Sequence, residues 1–81
     1  MQVQVLFFAM ARERAGTSAR ALELPAGSRV SDALDALVLA HPALAPMRAH
    51  LALAVNGDLA RAGDALPDGA ELALLPPVSG G

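Results

Sequence analysis

The residues of this sequence that could do chemistry lie at its C-terminal end, LLPPVSGG, residues 74–81. Pro76 and Pro77 favour an extended conformation that holds the following residues away from a folded body. The six residues from Pro76 onward reach at most about 20 Å. Gly80 and Gly81 carry no side chain, so this end of the chain could enter a narrow channel in another protein. Its terminal carboxylate has a reference pKa near 3.5 and is anionic at pH 7.

Activation would turn this carboxylate into a reagent. If another enzyme joins it to AMP at the expense of ATP, the resulting acyl-adenylate is open to nucleophilic attack. A sulfur donor then displaces AMP and leaves a thiocarboxylate, with the protein itself as the substrate. The pattern alone leaves open an inert chain end at Val78, Ser79, Gly80 and Gly81. The prolines directly after an apolar strand favour a working tail.

The rest of the sequence shows no catalytic constellation. Cysteine is absent, so no side-chain thiol could hold sulfur, and His41 and His50 lack the spacing of metal ligands. None of the serines lies in a GxSxG motif. The acidic residues are typical of helix caps, turns and solvated edges. We therefore expect no metal site and no cofactor bound by this chain, and whether it is an enzyme in its own right stays open.

Composition excludes several partner classes. The net charge is −2, all six basic residues are scattered arginines, and two phenylalanines are the only aromatic residues. A protein without a basic stripe or stacking platform is not expected to bind nucleic acid. The apolar run near the N-terminus follows no cationic region, so we expect neither a secretion signal nor a membrane span. The predicted location is the cytoplasm.

Hydrophobic periodicity predicts strands at both ends of the chain. Residues 2–8 begin with polar–apolar alternation and become continuously apolar, which predicts a strand with Phe8 on its mixed face. A short helix closing at Gly16 and a second, antiparallel strand over residues 19–24 follow. The last strand, before Pro76, alternates as well.

One long helix is predicted between these strands. From Val30 onward, apolar residues recur at helical spacing, and Pro42 ends the helix near His41. Ser28 or Ser31 is the expected cap. The following ALAPMRAH contains a second proline and is too short for another full helix. A third strand precedes the Asn56–Gly57 turn, and a very short strand is expected near Leu59.

Together these elements predict an α+β roll. One helix cannot cover both faces of a sheet, so a mixed sheet of four or five strands should carry the main helix on one face. The first and last strands are the most apolar and should lie in the middle.

Three segments carry a resemblance to a known family. VLFFAMARERAG, VNGD and LLPPVSGG resemble the molybdopterin synthase small-subunit family of ubiquitin-like, β-grasp sulfur carriers, over the whole chain. The resemblance implies a β-grasp domain over residues 1–75 and a flexible, extended tail over residues 76–81 that carries the sulfur.

The resemblance also implies a mechanism and partners. An adenylating activating enzyme would use ATP and magnesium on Gly81, and a sulfur donor protein would supply the thiocarboxylate sulfur. The tail would insert into the molybdopterin synthase large subunit, which holds the cyclic pterin precursor, in a heterotetramer. The inserted residues would be Pro76, Pro77, Val78, Ser79 and Gly80.

An apolar surface used for both partners is a further implication of the resemblance. By position, Phe8, Leu59 and Leu75 match this surface, and Arg12 could contact acidic residues of a partner. Core positions for the three apolar residues, and a solvated one for Arg12, are the alternatives. Relatives often carry aromatic residues where this chain has Leu74 and Leu75, so individual contacts need not transfer.

Other functions remain open at this point. A related carrier for thiamin synthesis or tRNA thiolation would use the same tail chemistry with a different acceptor. A β-grasp protein-binding module with an inert tail is an alternative of another class. A protein modifier that forms isopeptide bonds is a further one.

Overall fold

The computed structural model describes residues 1–77. Within these residues, three helices and five strands follow one another. In order they are β1 (Gln2–Phe7), α1 (Ala9–Ala15), β2 (Ala19–Glu23), α2 (Val30–Ala40), a 3₁₀ helix (Pro42–His50), β3 (Ala52–Val55), β4 (Asp58–Ala60) and β5 (Glu71–Leu75).

The strands form one mixed sheet in the order β2-β1-β5-β3-β4. The central pair, β1 and β5, is parallel, and the other neighbouring pairs are antiparallel. A parallel pair needs a long crossover, which here contains α2, the 3₁₀ helix and the β3–β4 hairpin. The expected central position of the first and last strands is confirmed.

The hydrophobic core lies between one face of the sheet and the helices. Alternation places Val3, Val5 and Phe7 of β1 on this face, and each is at most 1% exposed. Leu72 and Leu74 of β5 are fully buried beside them. The residues of α2 that complete the core follow its helical periodicity: Val30, Ala33, Leu34 and Leu37. The main helix therefore packs on one face, as expected.

The start of α2 differs from the expected serine cap. Helix α2 begins at Val30 with Arg29 as its N-cap residue, and Asp32 Oδ2 accepts a hydrogen bond from the Arg29 backbone N–H at 2.7 Å. The backbone N–H groups of Val30 and Ser31 donate to carbonyl oxygens of residues 64 and 62, at 2.9 and 2.8 Å. Ser28 Oγ instead donates to the Pro25 carbonyl oxygen. A loop distant in sequence thus caps this helix, and a local serine does not.

The segment after α2 also differs from expectation. Residues 42–50 form a nine-residue 3₁₀ helix, with Pro42 in its first turn and Pro46 inside it. Hydrogen bonding from i to i+3 accommodates a short segment that cannot complete an α-helix. Leu44 anchors it in the core at 2% exposure. No helix within residues 1–77 has the length and apolar character needed to cross a membrane.

Candidate functional site: the tail root and the open sheet face

The root of the C-terminal tail is the end of the central strand β5. The Phe8 backbone N–H donates to the Leu74 carbonyl oxygen at 3.1 Å, and on the other side Leu75 pairs with Ala52 of β3. Both neighbours of β5 thus hold the chain up to Leu75. Pro76 and Pro77 follow, both exposed, and they have no N–H with which to extend the ladder. The predicted tail residues Val78, Ser79, Gly80 and Gly81 lie outside the described residues.

A tight corner between β1 and α1 positions Phe8 beside this root. Phe8 keeps an extended backbone with φ −122° and ψ 152°, and Ala9 turns the chain with φ +49°. Positive φ is uncommon for a residue with a Cβ atom. Phe8 N–H, which precedes this turn, continues the pairing of β1 with β5, and the Phe8 side chain is 43% exposed. Helix α1 then ends at Gly16 with φ +75°, as predicted.

The register of the sheet gathers apolar side chains on the face away from the helices. Leu6 pairs with Ala73, Ala73 with Ala54, and Ala54 with Leu59, which makes one continuous row across four strands. The neighbouring row joins Leu75 to Ala52. Alternation along β1 puts Phe8 on the same face. We call this surface the open-face patch: Leu6, Phe8, Ala52, Ala54, Leu59, Ala73 and Leu75.

The predicted interface residues therefore fall together. Leu59 is 76% exposed, Phe8 is 43% exposed and Leu75 is half-buried, so none of the three has a purely core position. Three large apolar side chains reaching solvent on one face, beside the tail root, are typical of a protein-binding surface. Their role in binding stays a prediction.

The opposite end of the same face is polar and acidic. Gln2 pairs with Glu23 across β1 and β2, and Gln4 pairs with Glu71 across β1 and β5. Glu23 accepts a hydrogen bond from Gln2 Nε2 at 3.1 Å and lies 3.4 Å from the N-terminal amine. A partner covering this face would meet apolar side chains near the tail root and carboxylates at the far end.

Arg12 lies on α1 with its side chain exposed. Its carbonyl oxygen accepts the C-capping N–H of Gly16 at 3.0 Å. Among residues 1–77 its guanidinium forms no hydrogen bond or ion pair. Its contact with a partner stays a prediction.

The two histidines have different surroundings: His41 makes structural contacts, and His50 lies at the surface. His41 is the residue after α2; its Nε2 lies 3.2 Å from Arg20 Nη1, and its ring packs edge-on against Phe7 at 5.8 Å between centroids. His50 is exposed at the end of the 3₁₀ helix. Within the described part of the chain no group of three or more metal-ligating side chains comes together.

Comparison with known proteins agrees with this geometry. The family model described as the ThiS family matches residues 5–81, nearly the whole chain. The chain belongs to the ThiS family. The molybdopterin synthase sulfur carrier subunit of Chlamydomonas reinhardtii is 42% identical to this ThiS-family chain over 83 residues, covering 100% of both. The family resemblance of the three sequence segments is thereby confirmed.

Solved structures extend the likeness to the fold. Small archaeal modifier protein 1 from Haloferax volcanii superposes with a TM-score of 0.85 at 38% identity, covering 95% of this chain and 98% of its own. A chain of the protein–protein complex of subunits 1 and 2 of molybdopterin-converting factor from Helicobacter pylori superposes with a TM-score of 0.66 at 27% identity, covering 100% of both. The β-grasp fold predicted for this ThiS-family chain is confirmed.

Sequence reasoning missed part of this surface. Ala52, Ala54 and Ala73 complete the open-face patch, yet alanine gives no strong signal of either face by itself. Leu6 was recognisable from the alternation along β1. The alanines become recognisable only when the pairing of β3 with β5 is known, because register decides which residues share a face.

Proposed function

We propose that this chain is the sulfur-carrier subunit of molybdopterin synthase and that the carboxylate of Gly81 carries the sulfur. The observation that supports this most strongly is the match over full length to relatives that bear this name, from an alga, a plant and human. The family model also extends through residue 81, so the Gly-Gly ending is part of the matched pattern.

The proposed chemistry takes place on the main chain. An activating enzyme joins the Gly81 carboxylate to AMP, using ATP with magnesium, and pyrophosphate leaves. Sulfur at the oxidation level of sulfide, supplied by a sulfur donor protein, then attacks the acyl carbon. The carbon–oxygen bond to AMP breaks, AMP leaves with the electron pair, and a thiocarboxylate results. Because AMP is a far better leaving group than oxide, the adenylate overcomes the poor reactivity of a carboxylate. The chain itself supplies no catalytic side chain in this scheme.

In this proposal, the partner proteins bind the globular part of the chain. The large subunit is the first proposed partner. The support is that a chain similar to this one belongs to a solved complex of subunits 1 and 2 of molybdopterin-converting factor. We propose that it covers the open-face patch while Pro76, Pro77, Val78, Ser79 and Gly80 lead Gly81 to the pterin precursor. The activating enzyme would use the same patch at a different time, in the cytoplasm. Arg12, exposed on α1, is a further candidate contact.

Intact-mass spectrometry tests the chemistry. The purified chain is incubated with an activating enzyme, ATP, magnesium and a sulfur donor, and the expected product has one oxygen of Gly81 replaced by sulfur. A chain whose C-terminus is an amide is the matched control, because it lacks only the reacting oxygen. Sulfur on the amide-capped chain, or none on the free acid with several competent activating enzymes, would contradict the proposal.

Reconstitution tests the acceptor. The thiocarboxylated chain and the large subunit should convert the cyclic pterin precursor to the dithiolene, whereas a chain without Gly80 and Gly81 should not. A thiamin or tRNA sulfur carrier would form the thiocarboxylate but leave the pterin precursor unchanged. If the chain is instead a binding module with an inert tail, its cellular function should not depend on Gly80 and Gly81.

A second candidate function is protein modification. Small archaeal modifier protein 1 of Haloferax volcanii is 43% identical over 91% of this chain. The same adenylate could acylate a lysine amine of a target protein and form an isopeptide bond. This chain contains no lysine, so conjugates would carry single copies linked to target lysines. Conjugates recovered from cells would support this function, identified after trypsin cleavage at Arg61 by the peptide of residues 62–81 attached through Gly81 to a target lysine.

A further inference from the structure

The structure also has a groove on the helix side of the sheet, opposite to the side that bears the open-face patch. It lies between α2, the 3₁₀ helix and the β3–β4 hairpin and has a volume of about 500 Å³. Leu34, Ala49, Leu51 and Ala62 contribute to its apolar walls. We call it the arginine groove, because Arg48 and Arg61 also line it. The alanines leave room for an extended peptide segment.

The two arginines differ in whether a carboxylate pairs with the guanidinium. Arg48 donates to Asp35 Oδ1 and to the Ser31 carbonyl oxygen, the latter at 3.3 Å. Asp35 is 63% exposed, so solvent weakens this ion pair. The backbone N–H of Arg61 donates to Asp64 Oδ2, while its guanidinium has no partner among residues 1–77. Asp35 and Asp64 thus lie next to the two arginines, but no acidic residue lines the groove itself, and the guanidinium of Arg61 is its unpaired cationic group within residues 1–77.

The groove continues around the sheet edge into the open-face patch. A second, adjoining depression is lined by Leu51, Ala52, Leu59, Ala60 and Arg61, which joins the groove to two residues of the patch. Strand β4 has only one neighbour in the sheet, so no other strand blocks the passage around it. A protein that covers Leu59 therefore reaches the arginine groove without a gap.

The two ends of this continuous surface carry opposite charges. Glu23 and Glu71 occupy the end of the open face where β5 begins, and Arg61 follows the end of β4 beside the tail root. Two interstrand spacings, about 10 Å, separate the end of β5 from the end of β4. An acidic group of a partner is attracted to the arginine end and repelled from the other, which aligns the partner with the tail.

We propose that the arginine groove receives an extended, acidic segment of the large subunit, placing a carboxylate against Arg61. This inference rests on the proposed function and adds to it a second contact that orients the tail. The occupant is acidic because the groove lining is cationic, and extended because alanines form much of its wall. The groove contact speeds productive encounter, while the apolar patch supplies most of the affinity.

Two charge reversals of equal size test the proposal. Arg61→Glu removes the unpaired cation of the groove, and Arg14→Glu changes the net charge by the same amount on α1, outside the groove. Association with the large subunit from the same organism is followed by stopped-flow fluorescence at low and at physiological salt. We expect Arg61→Glu to lower the association rate constant about tenfold at low salt and to flatten its salt dependence. Arg14→Glu should change it less than twofold.

Further measurements separate the possible failures. Thermal melting checks that both variants fold, and Arg61→Gln provides a milder variant with an intermediate expected effect. Hydrogen exchange of the segment 58–64 should slow in the wild-type complex. Equal effects of Arg61→Glu and Arg14→Glu, or unchanged exchange there, would overturn the groove proposal while leaving the sulfur-carrier function standing. Failure of the wild-type chain to bind the large subunit at all would overturn both.

Discussion

Replacing Leu59 with alanine tests the open-face patch with little effect on the fold. Leu59 is 76% exposed in the free chain, so truncating it removes few contacts within the protein. Full burial of a leucine side chain contributes about 1.5–3 kcal/mol. Because about three-quarters of the Leu59 surface is still exposed in the free chain, its burial by a partner should contribute about 1.1–2.3 kcal/mol to the binding free energy. Because 1.4 kcal/mol corresponds to a tenfold change, the Kd for the large subunit should rise roughly 6- to 50-fold.

Leu39→Ala is the matched control for this experiment. Leu39 is the same residue type, is 84% exposed and lies on α2, away from the open face. Isothermal titration calorimetry of both variants against the large subunit measures the two Kd values, and urea unfolding confirms equal stability. The reasoning would be refuted if Leu59→Ala bound as tightly as the wild type, or if Leu39→Ala weakened binding to the same degree.

The remaining predictions concern the scaffold that holds the tail root. Leu72→Ala should lower the free energy of unfolding by about 2–5 kcal/mol in urea titrations, because Leu72 is fully buried in the central strand. Asp32→Ala should cost about 0.5–2 kcal/mol by the same method, since it removes the acceptor of the Arg29 N–H at the start of α2; an unchanged midpoint would contradict that capping role. Gly16→Ala should lower the free energy of unfolding by about 1–2 kcal/mol, because φ is +75° at this position. Gly63→Ala should leave it unchanged or raise it by up to about 1 kcal/mol, because φ is not positive there and the space around it is open. Melting curves that ranked the two variants in reverse would be inconsistent with the backbone geometry.

Much of the fold was predictable because local periodicity carried the information. Polar–apolar alternation placed Val3, Val5 and Phe7 on one face of β1, and helical spacing identified the buried face of α2. The central position of β1 and β5 followed from their apolar character. In each case a single element and its own burial pattern were sufficient.

The position at which α2 begins was predictable from its helical periodicity, but the full capping of its first turn was not. Its first N–H groups are satisfied by carbonyl oxygens of residues 62 and 64, more than thirty positions along the chain. A local capping rule looks for a side chain next to the helix and finds Ser28, which bonds elsewhere. Backbone groups that must be satisfied on burial can use any partner that the fold brings near, so sequence proximity is an incomplete guide.

By itself, the sequence supported the prediction of main-chain chemistry at Gly80 and Gly81. A Gly-Gly ending after two prolines on an apolar strand is a property of neighbouring residues and requires no folding to be recognised. Only the tertiary structure decided what surrounds the base of that tail. Leu6, Leu59 and Leu75 lie on one face because strand register brings together positions far apart in the chain. Arg48 and Arg61 line one groove because the 3₁₀ helix and the end of β4 both border it. Register depends on cooperative packing of the whole sheet, and a shift of one residue in a strand would turn its leucine to the opposite face.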